Sequence, residues 1–145
     1  MPTRYIKIDS LARELCPLVF RLYYVVRRET PQHQLTLTQA SVLATLAAGG
    51  AARMSVLAER EGVRMPSMTD VIARLERLGL ASRLPDPADR RAVLAEATED
   101  GTRLIAELVR AREEFLGRRL AGLAAADQAA IAAALPALRR LLAVS

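Results

Sequence analysis

With 145 residues, 52% of them apolar and 26% charged, the chain has material for one cored domain, too little for two, and far too much apolar content for disorder. A single cysteine excludes an intramolecular disulfide, and a single histidine leaves too few soft ligands for a closed zinc site, so neither a metal nor a cofactor is expected. The net charge of +5 is uneven, with an excess of +3 over residues 1–36, +2 over 37–91 and zero over 92–145, so a bound polyanion is expected on the first two thirds.

Residues 1–15 lack the apolar core of a secretory signal, which makes a cytoplasmic location the expectation. From about 9 to 29, Leu11, Leu15, Leu18, Val19, Leu22, Val25 and Val26 recur at helical spacing. Pro17 falls inside that stripe, so the helix either kinks there or starts near Cys16 with the proline in its first turn. Thr36 and Gln39 match a capping box opening a helix over about 37–48 that stops at Gly49 and Gly50. The uncharged run 35–52 is interrupted by Gln39, Ser41, threonines and glycines and is read as a helix with flanking turns, with no membrane span expected.

A short helix over 55–61 ends at Gly62, and Pro66 starts another that ends at Gly79, with Met68, Val71, Ile72, Leu75 and Leu78 on one stripe. Two short helices across a tight glycine turn make a helix-turn-helix candidate. Opposite the apolar stripe of the second lie Pro66, Asp70, Ala73 and Arg77, with Thr69, Ser67 and Arg74 on the shoulders. Small residues and arginines suit close approach to a major groove, although any surface helix turns polar residues outward.

Segment 84–101 then breaks the helical pattern. Pro85, Asp86, Pro87, Ala88 and Asp89 are turn chemistry between two extended arms, 81–84 and 92–97, with Arg90 and Arg91 beside the tip. Arginine on a thin tip suits a minor groove; a solvated loop is the alternative. Helical spacing resumes near Thr98 and runs through Leu123, and a last helix, with Asp127 as its expected cap and a kink expected at Pro136, carries Ile131, Leu135, Leu138 and Leu142. These terminal helices hold more apolar surface than a small core covers, so an oligomer interface is expected.

In order along the chain stand Thr36-x-x-Gln39, Val42-Leu43, Leu57-Ala58-Glu59-Arg60, Gly62-Val63, Thr69, Arg74-Leu75-Glu76, Gly79-Leu80 and Arg83, then 86–91 and 98–101. This ordered set resembles the winged helix-turn-helix regulators of the multiple antibiotic resistance regulator (MarR) family. The resemblance implies a mainly α fold with a small β-hairpin wing, forming a single domain over 1–145. Residues 36–101 would be the DNA-binding lobe, and 1–35 and 102–145 the dimerisation helices. It also implies a homodimeric transcriptional regulator, a repressor of a pseudo-palindromic operator in double-stranded DNA that responds to a small-molecule effector. The recognition helix would offer Arg64, Pro66, Ser67, Thr69, Asp70, Ala73, Arg74 and Arg77 to the major groove. The wing would offer Arg91 to the minor groove, oriented by Asp89, and Arg90 to phosphate.

Three positions depart from the family pattern. Arg64 stands where Ser or Thr commonly caps the recognition helix, Asp70 where a basic residue is common, and Ala97 in place of a leucine. Because Asp70 repels phosphate and suits cytosine N4, an operator sequence does not transfer from relatives. Cys16 falls about one turn before the cysteine that peroxide-sensing relatives use, so a redox repressor and an inert thiol are both open. Tyr23 and Tyr24 are candidates for a ligand cavity, with plain packing as the alternative. An architectural or protein-interaction winged helix is the rival function. An enzyme is not expected, since the chain has no glycine-rich phosphate loop and a single histidine for any triad.

Overall fold

The computed structural model describes residues 7–31 and 33–143, which divide into two compact units, one made of the described residues of 31–110 and the other of the described residues of 1–30 and 111–145. The element order is α1 (Ile8–Glu29), α2 (Leu37–Gly49), β1 (Ala52–Arg53), α3 (Met54–Glu61), α4 (Met65–Arg77), β2 (Ala81–Pro85), β3 (Val93–Ala97), α5 (Glu99–Ala121) and α6 (Ala125–Ala143). The mainly helical fold with a small sheet is as expected. No described helix is long and apolar enough to cross a membrane.

In the unit spanning 31–110, Thr36 and Gln39 close the expected capping box. The Gln39 N–H donates to the Thr36 hydroxyl at 3.2 Å, and the Thr36 N–H donates to the Gln39 side chain at 3.0 Å. Helices α3 and α4 end alike, each with a glycine in the left-handed region, Gly62 at φ 64° and Gly79 at φ 72°. The following residue reaches back in both cases, Val63 N–H to the Ala58 carbonyl at 3.0 Å and Leu80 N–H to the Leu75 carbonyl at 2.9 Å, so the last carbonyls are satisfied. The core gathers Val42, Leu43 and Leu46 of α2, Leu57 and Ala58 of α3, Met68, Ile72 and Leu75 of α4, and Ala81 and Ala95 of the sheet, with Leu104 and Ile105 of α5 packed against them.

The sheet is antiparallel in the order β1-β3-β2. Strand β1 was not expected; its two residues pair with Ala95 and Leu94 of β3. The wing arms run one residue further than expected on the first side, because Pro85 still faces Val93 in the ladder and the Asp86 N–H continues it to the Ala92 carbonyl at 3.2 Å. Thr98 precedes α5 and caps it, accepting from the Gly101 N–H at 3.1 Å while donating to the Gly79 carbonyl at 2.6 Å.

In the other unit, α1 is one helix through Pro17 and begins at Ile8, so the alternative start near Cys16 does not hold. Asp9 in its first turn and Arg27 and Arg28 in its last complement the helix dipole. Helix α6 likewise runs through Pro136. Its expected cap is corrected: Asp127 lies inside the first turn, its N–H bonded to the Ala124 carbonyl at 3.0 Å, where a carboxylate still favours the dipole. Neither helix buries a residue within one copy of the chain. Leu18, Phe20 and Leu22 on α1 and Ile131, Leu135, Leu138 and Leu142 on α6 are all exposed.

Candidate nucleic-acid interface

The polar face of α4 follows from its sequence. Met68, Ile72 and Leu75 are fully buried, which fixes the helix rotation and turns Pro66, Ser67, Thr69, Asp70 and Arg77 outward, with Ala73 and Arg74 half-buried at the margin. Arg64 occupies the N-cap position and makes no side-chain capping bond, as its departure from a Ser or Thr cap implies. Pro66 in the first turn removes an N–H that would otherwise be unpaired. The Thr69 hydroxyl is bonded back to the Met65 carbonyl at 3.0 Å. The helix and its N-cap thus present three arginines, at 64, 74 and 77, and the outward carboxylate of Asp70, while the second carboxylate of the helix, Glu76, is paired with Arg83.

Arg83 of β2 braces this helix from behind. Its guanidinium lies 3.1 Å from the Glu76 carboxylate and reaches the Thr69 carbonyl at 3.5 Å, and its backbone N–H donates to Glu76 at 3.2 Å. In front, the three residues between α3 and α4 hold the two helices in the short-turn arrangement of a helix-turn-helix motif.

The wing tip is built by two aspartates with different tasks. Asp89 Oδ1 accepts the backbone N–H of Arg91 at 3.0 Å, so it shapes the main chain of the tip, and no bond joins it to the Arg91 guanidinium. Arg90 and Arg91 are exposed, and among the described residues neither side chain has a hydrogen-bond or ion-pair partner. Asp86, which sequence reasoning assigned only to turn chemistry, is buried. Its Oδ1 accepts the Ala88 N–H at 2.8 Å and its Oδ2 the Nε of Arg53 at 2.7 Å. The bond from Ala88 holds this carboxyl below the ordinary aspartate range; burial opposes that and the Arg53 charge assists it.

Arg53 was missed altogether. The pairing spans 33 residues, and the residue's own strand is too short to show periodicity. The one available signal was a lone arginine directly ahead of a helix, in a stretch otherwise poor in charge.

The remaining candidates lie in the unit formed by 1–30 and 111–145. Tyr23 and Tyr24 are exposed; the Tyr23 hydroxyl accepts from Arg27 at 2.9 Å, and the Arg21 guanidinium lies 5.6 Å from the Tyr24 ring centre. Neither lines the groove of about 320 Å³ in this unit, which is formed by Leu18, Arg21, Leu22, Val25, Phe115, Leu116 and Arg119. Cys16 is an exposed free thiol.

Comparison with known proteins agrees with this geometry. Residues 35–93, from two residues ahead of α2 to the first residue of β3, match the model of the MarR family. An HTH-type transcriptional regulator of Mycobacterium bovis is 45% identical over 113 residues, covering 78% of this chain and 79% of the relative. Among solved structures, a MarR family protein from Bacillus stearothermophilus superimposes with a TM-score of 0.81 over 94% of this chain and 96% of its own, at 22% identity a likeness of fold. BpsR of Bordetella bronchiseptica, whose DNA binding is regulated by 6-hydroxynicotinic acid, is 27% identical with a TM-score of 0.69 over the full length of both chains. A helix-turn-helix, a paired wing and close relatives that are themselves regulators converge on one assignment: the chain belongs to the MarR family of DNA-binding winged helix-turn-helix transcriptional regulators.

Proposed function

We propose that the chain is a homodimeric, operator-specific repressor that reads double-stranded DNA with α4 in the major groove and the wing in the minor groove. The observation that carries this reading is the pair of arginine sets in one unit. Arg64, Arg74 and Arg77 lie on α4 and Arg90 and Arg91 on the wing tip, and none has a side-chain hydrogen bond or ion pair among the described residues. Arginines held in by their own fold would be paired, whereas these keep their donors for phosphate and base edges. Ser67, Thr69, Asp70, Ala73 and Pro66 supply the remainder of the groove-facing surface, with Asp70 favouring a cytosine partner.

A second copy of the chain is the partner proposed for the exposed apolar residues of α1 and α6, since monomers rarely expose so much contiguous apolar surface. Two-fold symmetry would then set two recognition helices about one helical turn of DNA apart. For an effector, the likeness to BpsR and the apolar groove with Arg21 and Arg119 favour a small organic acid.

Titration of DNA from upstream of its own gene against a scrambled duplex tests the reading. Preference by roughly a thousandfold or more is expected. Equal affinity for the two would remove operator specificity in favour of an architectural role.

A further inference from the structure

Among the described residues, Asp86 is the one charged side chain that is buried. Its Oδ1 already closes the turn through Ala88, so the wing needs nothing more from it locally. The second oxygen goes instead to Arg53, on the opposite edge of the sheet, at 2.7 Å. A buried carboxylate is tolerated when paired, but this pairing is asymmetric. The carboxylate is 6% exposed and the arginine side chain 45%.

The arginine is also held by Nε alone. Among the described residues no group bonds its two terminal nitrogens, which form the half of the guanidinium that matches an anionic oxygen pair. Its rotamer freedom has been removed by a buried partner while its donor fork is left in solvent. A pair serving only to brace the wing would be expected to engage the fork with the carboxylate. Two neighbouring features add in the same direction. Arg53 directly precedes α3, whose first amides have no side-chain cap, and Asp86 begins the same tip loop that carries Arg90 and Arg91.

We propose that Arg53 is a DNA phosphate ligand at the base of the wing, held in its binding pose by buried Asp86. The proposal rests on the reading of the wing as a DNA contact, and it assigns Arg53 a sequence-independent role distinct from base recognition by α4.

The test compares the full-length parent with Arg53→Gln and with Arg53→Ala/Asp86→Ala, the latter leaving no unpaired buried carboxylate. Far-UV circular dichroism verifies that each variant is folded. Binding to upstream DNA and to a scrambled duplex is followed between about 50 and 200 mM salt, where a phosphate contact is most visible. Both variants should lose about tenfold in affinity on both duplexes and show a salt slope smaller by about one per subunit. A methylphosphonate walked along the half-site flanks should weaken the parent at one phosphate to which the variants are indifferent. Parental slope and parental methylphosphonate sensitivity in either folded variant would overturn the proposal and leave Arg53 as a brace. If the parent fails to prefer its upstream DNA while Arg53 still changes the slope on both duplexes, operator specificity falls and the phosphate contact stands.

Discussion

The Thr98 hydroxyl joins the end of one helix to the start of another, donating to the Gly79 carbonyl behind α4 at 2.6 Å and accepting from the Gly101 N–H in α5 at 3.1 Å. Gly101 is buried against the same turn, and a β-carbon at 101 would collide with the Leu80 carbonyl oxygen. Backbone cannot yield as a side-chain tip can, so Gly101→Ala should destabilise by about 1–3 kcal/mol. Gly117, with nothing near its would-be β-carbon, gives the contrast. Alanine there should be neutral or stabilise by up to about 1 kcal/mol. Thermal melts of the two variants check this, and a Gly101→Ala protein melting at or above the parent would count against the packing account.

Arg91 makes its one described bond through its backbone N–H, to Asp89. Replacing its side chain by alanine should therefore leave the melting temperature and oligomeric state as they are, while operator binding weakens by about 1–3 kcal/mol. Asp89→Ala acts on the backbone of the tip and should weaken operator binding too, through a looser loop. A drop in the melting temperature of Arg91→Ala would reassign that residue to the fold.

The depressed pKa of Asp86 gives a sign for acid stability. Its folded value lies below the ordinary 3.8 of an aspartate, chiefly because of the bond from the Ala88 N–H, so ionised Asp86 favours the folded state. That contribution is fully present above the ordinary value and is lost as pH falls from there through the folded value. The melting-temperature gap between the parent and Asp86→Asn should accordingly be flat from neutral pH down to about 5 and close in stronger acid. A gap independent of pH throughout would show that the carboxylate's charge is not what stabilises the wing.

Leu135 and Leu138 project from α6 at 43% and 41% exposure in a single copy. Glutamate at both should cost a lone helix almost nothing, yet an interface would have to desolvate both charges. Sedimentation should find the parent as a dimer and the double variant as a monomer with unchanged helical content. A dimeric double variant would move the interface elsewhere.

Much of the fold was legible because its signals are local. The Thr36 and Gln39 box, the glycines at 62 and 79 and Pro66 each act on residues within five positions, and each appears where the pattern put it. The polar face of α4 was legible for the same reason, since three buried residues at helical spacing fix its rotation. What escaped depends on distant pairing. Strand β1 exists only because β3, about forty residues later, lies beside it, and two residues carry no alternation to detect. Arg53 and Asp86 looked like a stray charge and a turn former until the sheet brought them together. Asp127 was misplaced by three residues because an alanine-rich start offers no sharp boundary, and Ala124 holds the turn with its carbonyl alone.

The edges of the sheet bear on how the protein behaves at high concentration. A bare edge strand invites pairing with another molecule, and β2 meets that hazard in two ways. The outward N–H of Arg83 is already taken by the Glu76 carboxylate, and Pro85 has no N–H to offer. The opposite edge, β1, is two residues long, too short to template a partner. The sheet that carries the wing therefore offers a second copy neither a free N–H at Arg83 or Pro85 nor a long edge at β1, so concentrated protein should stay free of edge-to-edge association.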